Sequence, residues 1–403
     1  MVISAEYSFA AWAQVVAGHL VIFNCWGYIT SFGFFQSYYV QLLDRSASDV
    51  AWIGSMQMFL LNFVGVFSGR AVDLGYCRLC LMLGCSLQVI GIFTTAYSTQ
   101  YWQFFLSQGV CSGLGHGLLF APIVSILPTY FKKKRAFAVS LATCGAATGG
   151  MVFPAIAYTS MTKYGFRWTV LIMASVVTFN AIIIVSLARP RIQARKARSL
   201  FDASAFKEAP YSFFALGSFL TLWGIYFAYF YVGIYGRTVL DFTQRTSLLA
   251  IIVMNGVGIF GRTIPSLLAD RYFGILHSLI PVELASGVLL LGWIGVNSTG
   301  GLFGWAVIYG ICANATQSLF PASVGDLSTD PTRVGTKVGM ILGIVSISCF
   351  TGPPIGGRLV ALRNGDYLYA QLFGGFTMLA GGAAYLTSAV LKNRALKRQP
   401  SQV

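Results

Sequence analysis

The chain has 403 residues, 56% of them hydrophobic and 10% charged, with a formal net charge of +15 and a mean hydropathy of +0.71. A water-soluble globular domain carries about 25% charged residues, so that class is excluded. The basic residues sit between apolar runs, where they set membrane topology, which also excludes nucleic acid as the partner.

Met1 to Ala10 carries Glu6 and no Lys or Arg, and the apolar run after it is too long for the core of a signal peptide, so it is the first span. Runs long enough to cross a bilayer then cover 11–39, 50–69, 79–98, 102–129, 136–160 and 168–188. Residues 189–210, the longest hydrophilic stretch, hold six Lys/Arg against Asp202 and Glu208 and read as a basic cytosolic linker. Six more runs cover 211–235, 246–268, 276–297, 301–325, 336–359 and 368–391, leaving 392–403 as a cytosolic tail. Leu81–Tyr97 and Val282–Val296 are apolar on every face, whereas barrel strands would alternate, so the spans are helices. The expected fold class is an all-α membrane protein of twelve transmembrane helices, in six-helix bundles over 1–188 and 211–391.

With both termini in the cytosol, nineteen of the 27 Lys and Arg residues fall on cytosolic segments and seven on the opposite side, which fixes the orientation. That leaves Arg262 alone, deep inside the eighth span. The loop Gly69-Arg70-Ala71-Val72-Asp73 after the second span has a counterpart 197 residues later, Ser266-Leu267-Leu268-Ala269-Asp270. Arg135, opening the fifth span, has its counterpart in Arg333, 198 residues on. Two six-helix repeats around a central loop imply a carrier with its site at the midplane between the halves. No Walker-type loop is present, so ATP does not drive it directly. Three dispersed histidines, and a Cys77/Cys80 pair without a second pair, give no metal site, no cofactor and no foothold for enzyme chemistry.

The Gly-x-x-x-Asp loop and its repeat resemble the signature of the major facilitator superfamily. Trp26-Gly27-Tyr28-Ile29-Thr30-Ser31-Phe32-Gly33-Phe34-Phe35-Gln36-Ser37-Tyr38-Tyr39 resembles the first helix of its fungal monocarboxylate-porter-like members. So do Gly69-Arg70 through Asp73-Leu74-Gly75-Tyr76, Tyr130-Phe131-Lys132-Lys133-Lys134-Arg135-Ala136-Phe137-Ala138, and Gly261-Arg262 with Pro265. The resemblance implies a secondary carrier that alternates access and moves a small organic solute, an organic anion, across the plasma membrane, with a proton as a co-transported or exchanged partner. Beyond the solute and the lipid bilayer it implies no obligate protein partner. In animal monocarboxylate porters a first-helix lysine and an aspartate one turn before the eighth-helix arginine serve proton coupling; Thr30 and Gly258 stand there in this chain. Export of a fungal secondary metabolite is the rival reading, and a non-transporting solute sensor is the rival from another class.

Arg262 lies eight residues before Asp270, about 12 Å deeper at a rise of about 1.5 Å per residue. A charge at that depth costs about 2.5–3.5 kcal/mol, so it faces a cavity or a partner. It offers a bidentate site to a solute carboxylate, or pairs with Glu283, the one acid inside a span and at similar depth on the next helix. Glu283 is in turn a proton-coupling candidate or a residue snorkelling to the interface. Asn24, Tyr28 and Ser31 at i, i+4 and i+7 share one face of the first helix, lining the cavity or bonding neighbouring helices. Asn255, two turns before Arg262, extends that polar track. His116, within Gly113-Leu114-Gly115-His116-Gly117, is a second coupling candidate or a packing residue. Tyr226 and Tyr229 of the aromatic seventh helix stack on a flat solute or join the interfacial belt. At the cytosolic helix ends Arg70, Asp73, Arg78, Arg135, Asp270, Arg271 and Arg333 are candidate gate charges.

Overall fold

The computed structural model describes residues 8–131, 135–189, 202–327 and 334–398, and all of its long elements are helices. Helix α1 runs through Phe9–Ile22, a π-helical turn at Phe23–Gly27, Tyr28–Thr30 and Phe32–Leu43. Then come α2 (Ala47–Asp73), α3 (Cys77–Tyr97) and α4, which joins Tyr101–Phe104, a π turn at Phe105–Cys111 and Ser112–Tyr130. Arg135–Thr143 and Gly145–Leu187 come next, the latter broken at Gly165 with φ 73° and ψ 178°. That break ends α5 and begins α6, since only glycine takes such a backbone without strain. The second set is α7 (Ala209–Val239), α8 (Gln244–Gly256, Gly258–Leu268 and a π turn at Ala269–Phe273), α9 (Ile275–Gly292), α10 (Thr299–Asp326), α11 (Val334–Leu362) and α12 (Leu368–Arg398).

These twelve helices match the apolar runs within a few residues at most ends. Helix α1 runs to Leu43 and α12 runs on to Arg398, beyond the apolar runs, because Gln, Lys and Arg are good helix formers once the chain has left the bilayer. Among the described residues ten helical stretches are long and apolar enough to cross a membrane, and one of them, Ala138–Leu187, contains the Gly165 break and is two spans. The twelfth, α10, is 28 residues long but falls outside that set; its middle carries Asn314, Thr316, Gln317 and Ser318.

Local sequence explains the helix starts. Ser46, Thr243 and Ser298 each accept a backbone N–H three residues on, at 3.1, 3.2 and 3.1 Å, capping α2, α8 and α10. Helices of both halves approach through small residues: a Cβ on Gly27 of α1 would sit 2.5 Å from Gly149 Cα of α5. Among the described residues the halves meet mainly along α1 with α7, α2 with α11, and α5 with α8.

Candidate functional site

Arg262, at the middle of α8, is 5% exposed. Its Nε donates to Asn314 Oδ1 at 3.0 Å and its Nη2 to Gln317 Oε1 at 3.3 Å. Both amides turn their N–H groups to one hydroxyl: Asn314 Nδ2 and Gln317 Nε2 donate to Tyr229 OH of α7 at 2.9 and 3.3 Å. Asn314 Nδ2 also donates to Gly310 O at 2.8 Å, which fixes its rotamer. The network therefore holds the guanidinium plane with neutral groups. Among the described residues no carboxylate stands with the charged and titratable groups acting on Arg262, which are Tyr229, Tyr226 and Cys144. An arginine has five N–H donors, and the two amides take two of them. A buried cation held this way is preorganised for an anion.

Across the interface the first half supplies aromatic surface. Trp26 of α1 stacks on Tyr226 of α7 with centroids 6.0 Å apart and planes at 13°. Phe120 of α4 meets the same indole edge-on at 5.8 Å. Trp26 and Phe120 are partly buried and Gln317 is half-buried, and the stack joins one half to the other. Ser140 of α5 donates to the Arg262 carbonyl at 3.4 Å, a contact between the halves on the side where α1 begins and α12 ends. On the other side Ser48 of α2 donates to Pro354 O of α11 at 2.8 Å, and Tyr231 of α7 donates to Ala47 O at 3.3 Å. Arg245 of α8 lies over the Tyr158 ring of α5 at 5.3 Å. The stack is thus bracketed above and below by contacts between the halves.

The first-helix face foreseen from Asn24, Tyr28 and Ser31 is not brought to this site. Asn24 faces α6, accepting from Asn180 Nδ2 at 2.8 Å and donating to Val177 O at 3.4 Å. Tyr28 packs on Phe35, Phe153 and His116 inside the first half, and Ser31 donates to its own helix at Gly27 O, 2.7 Å. The cause is the π turn at Phe23–Gly27, which adds a residue to one turn and breaks the i, i+4, i+7 register. The same turn aims Trp26 at Tyr226. Asn255 does lie between the halves: a Cβ on Gly150 of α5 would sit 2.5 Å from its Oδ1 and 2.7 Å from Thr30 Oγ1. It shares no partner with Arg262, because α8 is interrupted between Gly256 and Gly258.

Arg262 and Glu283 do not pair. Glu283 is fully buried in the second half and accepts from Thr221 Oγ1 of α7 at 2.7 Å, so it does not snorkel either. His116 is fully buried in the first half, with Nδ1 3.4 Å from Gln57 Nε2. Among the gate candidates Arg70 is half-buried, Arg78 is exposed, and Arg271 is exposed with its guanidinium 5.3 Å from the Tyr272 ring centre. Arg333 and the side chains of Asp73, Arg135 and Asp270 lie outside the described residues, as does most of the central linker. Asn314, Gln317 and Trp26 escaped the sequence reading. For the two amides a signal existed in Asn314-Ala315-Thr316-Gln317-Ser318, a polar run in the middle of a span.

The sequence profile of the Major Facilitator Superfamily matches residues 19–299. The chain is 41% identical over 387 residues to an MFS-type transporter of Gibberella zeae, covering 95% of this chain and 87% of that one. It is 31% identical to the aspyridones efflux protein of Emericella nidulans, covering 92% and 76%, and 30% identical to the agnestins efflux protein of Paecilomyces divaricatus, covering 95% and 88%. Its fold is similar to that of the nucleoside transporter NupG, with a TM-score of 0.73 at 14% identity, covering 94% of this chain and 99% of that one.

Proposed function

Because the chain belongs to the major facilitator superfamily and is a multi-pass membrane transporter, we propose that it is a secondary carrier exporting a planar, aromatic organic acid by alternating access. The observation carrying this reading is the buried Arg262, held by Asn314 and Gln317 with no carboxylate partner among the described residues, next to the Trp26–Tyr226 stack. In the proposed complex the guanidinium forks onto the solute's carboxylate or enolate, and the flat body of the solute parts Trp26 from Tyr226 and stacks between them. The solute replaces contacts that the halves now make with each other, so binding and rocking of the halves are the same event. Relatives named for the efflux of aspyridones and of agnestins support the outward direction. The motif at Trp26–Tyr39 supports a place near the monocarboxylate-porter-like members, with the arginine kept and the solute enlarged.

In this reading residues 1–188 and 211–391 are the rocking bundles, 189–210 joins them on the cytosolic side, both termini are cytosolic, and the carrier works in the plasma membrane. Profiling small molecules in cells and medium of the native host, with and without the gene, tests it. An aromatic acid that builds up inside and vanishes from the medium on deletion is the expected result. A compound left unconsumed outside and depleted inside would overturn export.

A further inference from the structure

Glu283 is the ninth of the eighteen residues of α9, so about 12 Å of helix separates it from either end. It is fully buried, and three other helices close around it. From α7, Thr221 donates to Oε1 at 2.7 Å, and Ser218 accepts from Tyr385 OH of α12 at 3.2 Å. From α12, Gly382 leaves the room the acid occupies: a Cβ there would sit 3.6 Å from Glu283 Cγ. From α10 come Thr316, which faces the carboxyl, and Tyr309, whose hydroxyl donates to Ile225 O at 3.2 Å. The titratable groups facing Glu283 are thus Tyr309 of α10 and Tyr385 of α12, while α7 offers hydroxyls only. Among the described residues no basic side chain acts on it.

Among the described residues two buried atoms in this cluster, Glu283 Oε2 and Thr316 Oγ1, have no hydrogen-bond partner. A carboxylate only accepts, whereas a neutral carboxyl carries one O–H donor. The Thr316 hydroxyl meets Oε2 in either state, donating to a carboxylate or accepting from a carboxyl, so what the proton changes is the charge: it removes an unpaired charge from the bilayer interior. The helices that hold the acid also hold Arg262. Thr221 shares α7 with Tyr226 and Tyr229, and Thr316 lies on α10 between Asn314 and Gln317.

We propose that Glu283 is an exchangeable proton site of the transport cycle, protonated in the conformation described here and releasing its proton to water when α7 and α10 shift with the solute. The O–H bond breaks and the carboxylate remains; no other bond changes. The coupling to solute rests on the carrier reading above, whereas the protonation does not.

Infrared difference spectroscopy of the full chain in nanodiscs, titrated with pH, tests the site directly. At neutral pH the wild type shows the carbonyl band of a protonated carboxyl, which Glu283→Gln lacks and which fades as pH rises. Thr316→Val keeps the band and moves its frequency. A band that is absent, independent of Glu283, or fixed at every pH overturns the proposal; thermal unfolding of both variants guards against misfolding. In proteoliposomes with clamped membrane potential and 7-hydroxycoumarin-3-carboxylate as probe, exchange of one proton supports about tenfold accumulation per pH unit. Glu283→Gln loses that accumulation and keeps probe exchange at equal pH, and unchanged accumulation in this variant overturns coupling. If the wild type moves no probe, the solute class proposed above fails, and the infrared titration still decides the proton site.

Discussion

Replacing Arg262 with Met removes the charge and both hydrogen bonds, at 3.0 and 3.3 Å, to Asn314 and Gln317. The orphaned amide oxygens cost about 1–3 kcal/mol each, and losing a cation at that depth returns about 2.5–3.5 kcal/mol. The two sums lie within a few kcal/mol of each other, so the variant folds. Solute binding has no such offset. A charge-assisted hydrogen bond contributes about 1.5–3 kcal/mol, so losing a two-pronged contact raises the half-saturating concentration at least about 100-fold, at about 1.4 kcal/mol per factor of ten. Arg262→Lys keeps the charge but not the fork, and an effect of about tenfold is expected. The assay is initial-rate uptake of 7-hydroxycoumarin-3-carboxylate into proteoliposomes, with thermal unfolding measured on the same preparations. A folded Arg262→Met variant whose half-saturation lies within twofold of wild type would refute the assignment of the anion to this residue.

Tyr229→Phe strips the shared acceptor from Asn314 and Gln317; it should destabilise the protein by about 1–3 kcal/mol and weaken probe uptake while the charge stays, measured by thermal unfolding and flux. Trp26→Ala removes the stack on Tyr226, worth about 0.5–1.5 kcal/mol, so uptake of the coumarin acid should weaken about two- to tenfold with no change for acetate. Gly261→Ala drives a methyl into the Ile311 carbonyl and forces α8 from α10; overpacking of this kind costs about 1–3 kcal/mol, and melting should fall, whereas Gly300→Ala meets open space and should melt as wild type. Asn180→Ala breaks the bond to Asn24 and should lower stability by about 1 kcal/mol or less with flux unchanged; lost flux would return Asn24 to the solute site.

The spans were legible because the bilayer demands about 20 apolar residues wherever a helix crosses it, and the halves because their loops repeat. Azimuth was not legible. Counting along an unbroken helix put Asn24, Tyr28 and Ser31 on one face, but the π turn at Phe23–Gly27 rotates the later residues of α1 about its axis, and nothing in Phe23-Asn24-Cys25-Trp26-Gly27 announces it. Counting from a hairpin likewise brought Arg262 and Glu283 to similar depth without saying which way either points.

The direction matters more than the depth. On α10, Asn314 and Gln317 face Arg262 while Thr316 faces Glu283, as expected where successive residues turn by about 100°. A helix about 10–12 Å across therefore stands between the buried cation and the buried acid. Had they met, each would have neutralised the other, and neither would need a mobile partner. Kept apart, each is incomplete within the described residues, the guanidinium toward an anion and the carboxyl toward a proton. The same helix touches both, so filling one site shifts the wall of the other. That separation fits a machine that exchanges two cargoes better than one that merely holds two helices together.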